Sequence, residues 1–316
     1  MRTVAVTGIS GYVGSRLCEA LERADEVERI VGIDVKPPAV ECRKLVFCQR
    51  DLREALGDVL ADNQVDTVVH LAFVIRHGRD LAGASRTNTD GCRNLLEACL
   101  QCSVEGLLYL SSNTVYGPNP DNPDVITEDR PLNQRYGSPY SRDKARVDQM
   151  FQDFAESHPD ASVTIVRSCP VIGPGAAGTA GAVMFTPVMM RCLGHDPRWQ
   201  FTHEDDLVEA IVTLLRQRQR GVFNVAGNGS LAYSELARMA GKRSIVLPAL
   251  LWSLLLKLSW WLHLQSDAPG GVEFFKYPIV LDTTRLKETA GFQFRYSSAE
   301  ALRSYLDAGL SAASKG

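Results

Sequence analysis

The 316-residue chain lacks the excess of basic residues that marks most nucleic-acid-binding proteins. It has 34 Lys and Arg against 37 Asp and Glu, which gives a formal net charge of −3. Nucleic acids are held mainly by positively charged protein surfaces, so we expect no nucleic-acid partner. The one dense basic stretch, residues 216–220, ends a predicted helix, where cations suit the negative end of the helix dipole.

A complete set of metal ligands is also missing. The eight cysteines are scattered, and only Cys99 and Cys102 form a CxxC pair, without a second pair or a histidine cluster. A structural zinc ion needs four ligands, so we expect no metal. The cysteines are typical of reduced core residues in a cytoplasmic protein.

Two signals of other protein classes are absent. The residues after Met1 lead into a short apolar strand and a glycine turn. They lack the apolar run and cleavage site of a signal peptide, so we expect a cytoplasmic location. No GxSxG motif occurs, which argues against a Ser-His-Asp hydrolase.

Strand and helix patterns alternate through the first half of the chain. The predicted strands are almost entirely apolar, as expected for a parallel sheet that helices cover on both faces. After about residue 170 the alternation stops, and a stretch rich in Gly, Pro and Ala at 173–181 is typical of a mobile loop. The predicted elements are strands at 3–7, 29–33, 44–48, 67–71 and 106–110 and a helix at 88–102.

Three glycines, Gly8, Gly11 and Gly14, follow the first strand and open a predicted helix. This spacing lets the backbone turn tightly and approach a pyrophosphate, toward which the helix directs free N–H groups. Asp34 ends the second strand, where a carboxylate can bind the ribose 2′-hydroxyl of NAD and repel the 2′-phosphate of NADP. The sequence thus predicts a dinucleotide site that prefers NAD, a preference that Lys36 weakens without reversing.

These patterns together predict an α/β fold with a Rossmann-type, doubly wound parallel sheet and a smaller C-terminal lobe for substrate. The NAD-binding domain would span residues 1–170, with later segments at about 199–226 that return to it. The lobe would be formed mainly by residues 171–316.

The order and spacing of the motifs resemble the extended short-chain dehydrogenase/reductases, the NAD-dependent epimerase/dehydratase family. The TGxxGxxG spacing, an HLA at the end of the fourth strand, an SSxxVYG segment and a YxxxK pair all match that family. Any one motif could occur by chance, but their shared order over nearly the whole chain makes chance a poor explanation. The matching segments are 7–14, 51–52, 70–72, 88–98, 111–117, 140–144, Arg167, 173–174, 201–206 and 221–225.

The resemblance implies an NAD cofactor and a set of site residues. Ser112, Tyr140 and Lys144 correspond to the family's catalytic serine, tyrosine and lysine. Asn88 corresponds to an asparagine that supports them through a helix and a water molecule. The implied cofactor-binding residues are Gly8, Ser10, Gly11, Tyr12, Val13, Gly14, Asp34, Asp51, Leu52, Leu71, Ala72, Tyr140 and Lys144.

Tyr140 and Lys144 are four residues apart, so a helix would place them on one face. A free phenol, with a pKa of about 10, is a weak base at neutral pH. A nearby ammonium and the positive nicotinamide ring favour its ionised form. Tyr140 could then accept a hydroxyl proton while hydride leaves the same carbon, with Ser112 hydrogen-bonded to the reacting oxygen. Without the other motifs, an ordinary pair on a helix surface would be the better interpretation.

The histidines near these motifs, His70 and His203, are interpreted as structural, because no acid is placed to orient either as a base. Dehydration is not expected. The 4,6-dehydratases of the family carry Asp-Glu after the catalytic Ser/Thr, whereas this chain has Asn113 and Thr114. An epimerase, which retains its cofactor, and a dehydrogenase/reductase, which exchanges it, both remain. We favour a nucleotide-sugar epimerase-like enzyme over a non-catalytic NAD-sensing regulator.

The substrate side departs from the nucleotide-sugar epimerases. Pro170 replaces their substrate-binding asparagine, and Trp199 replaces an arginine that grips the UDP phosphates, although Arg198 is adjacent. A second phosphate arginine has no evident counterpart near Val272. Arginine forks matter for diphosphate binding, so these losses count against a standard UDP-hexose site.

An unusual apolar segment, residues 245–264, carries a single charge at Lys257. We favour a helix packed within the C-terminal lobe over the substrate cleft. A membrane-surface helix anchored by Trp252, Trp260 and Trp261 and an oligomer interface are the alternatives. An apolar lid or membrane dock would suit a steroid- or lipid-like alcohol or ketone, the second substrate class. A homodimer, common in the family, remains open.

Overall fold

A computed structural model describes residues 1–75, 80–176, 188–264 and 271–313. Its strands are β1 Thr3–Thr7, β2 Arg29–Asp34, β3 Leu45–Gln49, β4 Thr67–His70, β5 Gly106–Ser112, β6 Ser162–Ser168, β7 Val171–Ile172, β8 Val188–Cys192, β9 Arg198–Trp199, β10 Thr202–His203, β11 Gly221–Val225, β12 Leu231–Ala232 and β13 Arg243–Leu247. Its α-helices are α1 Tyr12–Glu22, α2 Gly57–Asp62, α3 Leu81–Gln101, α4 Pro139–Ser157, α5 Glu204–Arg216, α6 Tyr233–Met239, α7 Ala249–Trp261, α8 Thr284–Ala290 and α9 Ser298–Ala313.

Within the described residues, seven strands form one parallel sheet in the order β11-β6-β5-β4-β1-β2-β3. β1, β4 and β6 are buried along almost their whole length. Helices α1 and α5 pack against one face of the sheet, and α2, α3 and α4 pack against the other. The predicted doubly wound α/β fold is confirmed.

The strand order places β1 and β4 side by side at the point where the chain changes direction across the sheet. From β1 the chain runs outward through β2 and β3, then crosses to β4 on the other side of β1 and continues through β5 to β6. The crevice beyond the carboxyl ends of two such strands is where open α/β sheets bind ligands. The glycine loop and the HLA motif both follow strands at this crevice.

Helix α3 begins seven residues before the predicted start at Asn88, so that predicted boundary was wrong. Asp80 caps the helix by accepting a hydrogen bond from the N–H of Gly83 at 2.8 Å. The first two turns are mostly small and polar, so they lack the apolar periodicity that indicates a helix in the sequence.

The chain after β6 builds the smaller lobe from short strand pairs, β7 with β10, β9 with β12 and β8 with β13. A separate apolar core that includes Phe201, Tyr233 and Tyr305 holds this region together. β11, from within the predicted returning segment, joins the main sheet beside β6. Of the predicted mobile loop, residues 174–176 form a 3₁₀ turn, and residues 177–181 lie outside the described residues.

The apolar segment 245–264 is not packed within the lobe, so the favoured prediction for it was wrong. The segment contains the end of β13, Pro248 and α7. Of the α7 side chains, all of which the structure describes, Trp252 alone is buried, because one side of the helix contacts the lobe and the other faces solvent. None of the described helices is long and apolar enough to cross a membrane.

Candidate active site

The glycine loop after β1 leaves room for backbone only. Gly8 has a φ of +74°, and a Cβ added there would lie 2.7 Å from the amide nitrogen of Ala72, two residues past β4. A Cβ added at Gly14 would lie 2.2 Å from the carbonyl oxygen of Gly8, which also accepts a hydrogen bond from the N–H of Gly11 at 3.0 Å. The start of α1 can therefore approach a diphosphate closely with its free N–H groups, and the residues present fit a dinucleotide.

The loop is tied to the end of β2 through Asp34. The carboxylate of Asp34 accepts a hydrogen bond from the backbone N–H of Ser10 at 3.0 Å and another from Val35 at 2.7 Å. The Ser10 hydroxyl donates to the carbonyl oxygen of Lys36 at 2.5 Å. These contacts place the Asp34 carboxylate beside the glycine loop, where a ribose hydroxyl could replace a backbone donor.

The remaining loop residues face the body of the protein. Val13 packs against the apolar core under the sheet. The Tyr12 hydroxyl donates to the carboxylate of Glu204, at the start of α5. Glu204 also accepts a hydrogen bond from the backbone N–H of Gly175 at 3.1 Å.

The Asp51-Leu52 corner follows β3 and is held by α3. The amide group of Asn94 donates to the carbonyl oxygen of Leu52 at 3.0 Å. A Cβ added at Gly91 would lie 2.9 Å from the Cβ of Leu52. The Arg53 ion pair, with an N–O distance of 2.7 Å, lowers the pKa of the Asp51 carboxyl group. Gly91 and Asn94 of the NxxGxxN motif are thus explained by their contact with this corner.

Ser112 and Tyr140 meet at the end of β5. Ser112 is the last residue of that strand, Tyr140 lies in the first turn of α4, and their hydroxyl groups are hydrogen-bonded. Burial raises the pKa of Tyr140 to about 12, and the bond from Ser112 opposes this increase. Ser138 fixes the start of α4, because its hydroxyl accepts a hydrogen bond from the N–H of Ser141 at 3.2 Å and Pro139 follows it.

Lys144 lies one helical turn beyond Tyr140 and is 5% exposed. Its ammonium group donates to the carbonyl oxygen of Leu110 in β5 at 2.7 Å. Burial lowers the pKa of Lys144 to about 7, and the carboxylate of Asp148 opposes this decrease. The structure therefore brings Ser112, Tyr140 and Lys144 together between β5 and α4.

Phe73 joins this group, although the sequence analysis did not identify it. The Lys144 ammonium lies 3.9 Å from the centre of the Phe73 ring. The ring also packs edge-on against Tyr140, with 5.6 Å between ring centres. The available signal was position, because Phe73 directly follows the Leu71-Ala72 pair that the resemblance assigns to the cofactor.

Asn88 is hydrogen-bonded to the segment after β4 and to α4 through Asp143. Its side chain accepts a hydrogen bond from the N–H of Val74 at 2.7 Å and donates to the carbonyl oxygen of the same residue at 3.3 Å. Its amide nitrogen lies 3.5 Å from the Asp143 carboxylate in α4. Asn88 therefore fixes the residue next to Phe73, and a supporting role for it in catalysis stays a prediction.

Neither residue after Ser112 carries a carboxyl group. The Thr114 hydroxyl donates to the Ser112 hydroxyl at 3.0 Å, and the Asn113 amide oxygen lies 3.5 Å from that same group. Both side chains thus act on Ser112 as hydrogen-bonding partners.

Both histidines near the motifs make contacts within the fold, and a purely structural role for them stays a prediction, since the Asp205 carboxylate lies 3.6 Å from His203 Nδ1. His70 is 1% exposed and hydrogen-bonds the Thr7 hydroxyl at 2.7 Å, and burial lowers its pKa to about 3. His203 accepts a hydrogen bond from the N–H of Asp205 at 3.2 Å and so caps α5, while its ring stacks on Tyr296. Among the described residues, no group of His, Cys, Asp and Glu side chains is arranged to hold a metal ion.

The lobe places an aromatic cluster where the epimerase-like resemblance expects an arginine. Trp199 packs against Tyr233 and Phe275, with ring centres 5.4 and 5.7 Å apart. The adjacent Arg198 donates to the hydroxyl and carbonyl oxygens of Ser230 at 2.7 and 2.6 Å. The guanidinium of Arg198 is thus bound to the lobe itself.

A model of the NAD dependent epimerase/dehydratase family matches residues 4–226. This range includes the seven-stranded sheet except Thr3, together with Ser112, Tyr140 and Lys144. The chain belongs to this family. The resemblance found in the motifs is confirmed.

Known proteins share the sequence or the fold along different lengths of the chain. An uncharacterized protein of Mycobacterium bovis is 27% identical over 316 residues, covering 96% of this chain and 83% of its own. The UDP-glucose 4-epimerase of Bacillus subtilis is 29% identical over 201 residues, covering 56% and 55%. A solved UDP-glucose-4-epimerase from Stenotrophomonas maltophila, with bound NAD and formylated UDP-arabinopyranose, superposes with a TM-score of 0.77 at 20% identity, covering all of both chains.

Proposed function

We propose that this protein is an NAD-dependent enzyme that oxidises and reduces a hydroxyl-bearing carbon, and that it acts as an epimerase on a nucleotide sugar. The observation that carries this proposal is the grouping of Ser112, Tyr140 and Lys144 beside the strand ends that bear the glycine loop. The family match covers all three residues, and the matching Bacillus subtilis protein is a UDP-glucose 4-epimerase.

In this mechanism Tyr140 is the acid and base. Bound NAD would supply the hydride acceptor. The Tyr140 oxygen accepts the proton of the substrate hydroxyl, and Ser112 donates a hydrogen bond to the same substrate oxygen. A phenol with a pKa of about 12 is a poor base at neutral pH, so the Lys144 ammonium, one turn away, must stabilise the phenolate. In the reverse direction Tyr140 returns the proton to the keto oxygen.

The cofactor preference rests on Asp34. Its carboxylate lies beside the glycine loop through the hydrogen bond from Ser10. A carboxylate at this place accepts hydrogen bonds from ribose hydroxyls and repels a 2′-phosphate. We therefore propose NAD rather than NADP. Asp51 and Leu52 would hold the adenine ring, and Leu71 and Ala72 would lie alongside the cofactor.

Dehydration is excluded from the proposal, although the family name covers dehydratases. Elimination of water next to the ketone needs a further acid/base pair beside the catalytic tyrosine. Asn113 and Thr114 stand where the dehydratases carry that pair, and their side chains hydrogen-bond Ser112. An amide and a hydroxyl are poor proton donors at neutral pH compared with a carboxylic acid.

A dehydrogenase/reductase that acts on an apolar alcohol or ketone is the second candidate. The aromatic cluster of Trp199, Tyr233 and Phe275 favours it, because this cluster stands where a phosphate-binding arginine is expected. Pro170 adds to this argument, since its side chain offers no hydrogen bond to a sugar. These residues decide the substrate class, whereas the chemistry at Tyr140 is the same for both candidates.

The first experiment measures cofactor in the freshly purified protein. The protein is passed through gel filtration and denatured, and the released nucleotide is identified by mass spectrometry and absorbance. We expect close to one NAD per chain, because an epimerase must keep the reduced cofactor until hydride returns. Conversion of UDP-sugars between epimers is then followed by NMR.

Reversible NAD(H) binding to an otherwise empty protein would instead support the dehydrogenase/reductase, and the substrate screen would move to apolar alcohols and ketones. A protein that retains and binds neither NAD nor NADH would contradict both candidates.

A further inference from the structure

Helix α7 exposes the apolar surface that an ordinary surface helix buries. Such helices turn an apolar stripe to the core and a polar face to water. In α7 the lobe contacts are made around Trp252, which packs with Cys192 and Val272. At about 100° per residue, the exposed side chains fill an arc of roughly 160° on the opposite side. The residues of this arc are Leu250, Leu251, Leu254, Leu255, Lys257, Leu258, Trp261 and Leu262.

The exposure of these side chains is large. Leu250 and Trp261 are each 73% exposed, and Leu264, just beyond the helix, is 75% exposed. Ile245 and Val246 of β13 are about half exposed as well. We call the α7 arc with residues 245, 246 and 264 the apolar patch. A run of exposed apolar residues of this length marks an interaction site rather than ordinary surface.

The chain around the apolar patch is positively charged. From Leu236 to Leu264 there are four cations and no Asp or Glu, in a protein whose formal net charge is −3. Lys257 lies at one border of the α7 arc and is exposed, as is Arg243 at the start of β13. The 3₁₀ turn Val272–Phe275 packs on α7. This turn carries one carboxylate, Glu273, and Lys276 follows it directly. The four cations are Arg238, Lys242, Arg243 and Lys257.

We propose that the apolar patch docks this protein on an anionic lipid surface. Helix α7 would lie in the plane of the interface, with its leucines and Trp261 below the headgroups and Lys257 among them. Its 13 residues give a length of about 20 Å, which is short of the roughly 30 Å hydrocarbon core. The helix therefore lies on the membrane rather than across it. Trp252, which faces the lobe, is excluded as an anchor, so that part of the earlier prediction was wrong.

A second copy of the chain fits this surface less well. A two-fold dimer brings the same patch of both copies together, so the cationic stretch of one copy would face that of the other. A partner helix also covers a stripe narrower than the exposed arc. An anionic bilayer neutralises the cations and can cover the whole arc at once.

The test is flotation of the full-length protein with vesicles of phosphatidylcholine alone and with one third phosphatidylglycerol. The triple variant Leu250→Ser, Leu254→Ser, Trp261→Ser removes the centre of the apolar patch. The variant Lys242→Gln, Arg243→Gln, Lys257→Gln removes charge. The matched controls are Leu100→Ser with Val125→Ser, exposed apolar residues elsewhere, and Arg23→Gln, Arg29→Gln, Arg303→Gln, exposed cations elsewhere. NAD binding and thermal unfolding check that each variant is folded.

We expect the parent and both controls to float with anionic vesicles and to be released by raised salt. The apolar variant should lose at least tenfold in partitioning to the same vesicles. The charge variant should lose at least tenfold as well, since each cation near such a surface contributes about 1 kcal/mol, a factor of about five. A parent protein that floats with neither vesicle would overturn the proposal. So would a concentration-dependent dimer in sedimentation velocity that the apolar variant abolishes while vesicle binding is unchanged. Both results are independent of whether the protein is an epimerase.

Discussion

Two regions depart from the usual distribution of polar and apolar residues in opposite directions: the sheet edge at the candidate active site, and the outer face of α7. At the sheet edge, polar groups are buried: Lys144, Asn88 and Ser112 are each at most 7% exposed. On α7 the large apolar side chains of Leu250 and Trp261 are mostly in solvent. Each departure costs free energy or solubility unless something compensates for it.

The two regions differ in where the contacts that offset these costs are found. The buried polar groups at the sheet edge have partners within the protein, such as the Leu110 carbonyl for Lys144 and the Val74 backbone for Asn88. The apolar arc of α7 has none within the described part of the lobe. The polar groups at the sheet edge are stabilised by partners within one chain. The apolar arc of α7 would need another molecule or a membrane to cover it. Three experiments test the region at the sheet edge. Each has a control variant, which lies either in the lobe or at the same hydrogen bond as the residue tested.

The largest effect is expected for Tyr140→Phe. Removing the hydroxyl removes the acid and base, so kcat should fall about 10³-fold while NAD content is retained. The ring remains to pack against Phe73, so the fold should persist. Turnover of the substrate found in the screen is measured together with NAD released on denaturation. The matched change Tyr277→Phe, in the lobe, should alter kcat by less than twofold.

If the protein were an NAD-sensing regulator, Tyr140→Phe would leave its biological effect unchanged. A variant that keeps more than a tenth of the parent's turnover would likewise show that Tyr140 is not the base.

The second effect is expected for Gly8→Ala, with Gly229→Ala as its control. Both glycines have nearly the same positive φ, +74° and +73°. A Cβ at Gly8 would lie 2.7 Å from the Ala72 nitrogen, whereas Gly229 has no atom within 4 Å of such a position. Gly229→Ala should therefore cost the conformational penalty of about 1 kcal/mol, whereas Gly8→Ala should also weaken NAD binding about 100-fold.

The measurements are chemical unfolding and the amount of NAD that each variant retains per chain after gel filtration. Equal losses in the two variants would mean that the backbone conformation, and not the close approach of β1 and β4, shapes the loop.

The smallest effect concerns stability in acid. The pKa of His70 is about 3 in the folded protein against about 6.5 in an unfolded chain. On acidification the unfolded chain takes up a proton near pH 6.5, whereas the folded ring stays neutral. The stabilisation is therefore complete above pH 6.5 and is lost as the pH falls toward 3. At pH 5 the loss should be about 2 kcal/mol.

Thermal unfolding between pH 7 and pH 5 measures this slope. His70→Asn should flatten it. Thr7→Val, which removes the hydrogen-bonding partner of His70 and keeps the ring, should lower stability at both pH values and leave the slope. If the stability of His70→Asn fell between pH 7 and pH 5 as steeply as that of the parent, His70 would not be the source of this pH dependence.

The sequence predicts the sheet and the cofactor loop well because both depend on local, repeated constraints. Apolar runs indicate strands that are buried on both faces, and β1 has the predicted bounds, Thr3–Thr7. Glycines are required where the backbone of residue 8 passes Ala72 and where that of residue 14 passes the Gly8 carbonyl oxygen, so both positions can be recognised in the sequence. The grouping of Ser112, Tyr140 and Lys144 could be predicted from the YxxxK spacing and from the strand end at Ser112, and their catalytic role stays a prediction.

The sequence could not predict contacts that arise from packing between distant elements. Phe73 meets Lys144 and Tyr140 because β4 and α4 pass the same point, and its place after Leu71 and Ala72 is the one local signal of this contact. Asn88 was assigned by resemblance, yet its observed partners are the Val74 backbone and Asp143. For α7 the composition suggested burial, because high hydrophobicity is the usual signal of a core helix. The lobe offers contact on one side of the helix only.

One carboxylate links the two halves of the molecule more closely than their separate cores suggest. Glu204 is 3% exposed and accepts hydrogen bonds from Tyr12 in the glycine loop and from the backbone of Gly175 beyond β6. The guanidinium of Arg16 lies 3.4 Å away. A substitution of Tyr12 that removes the hydroxyl leaves the buried Glu204 carboxylate with one hydrogen-bond donor fewer. A substitution of Glu204 that removes the carboxylate takes away the acceptor of the Tyr12 hydroxyl. These positions cannot drift independently during evolution, so relatives of this chain are expected to change both together or neither.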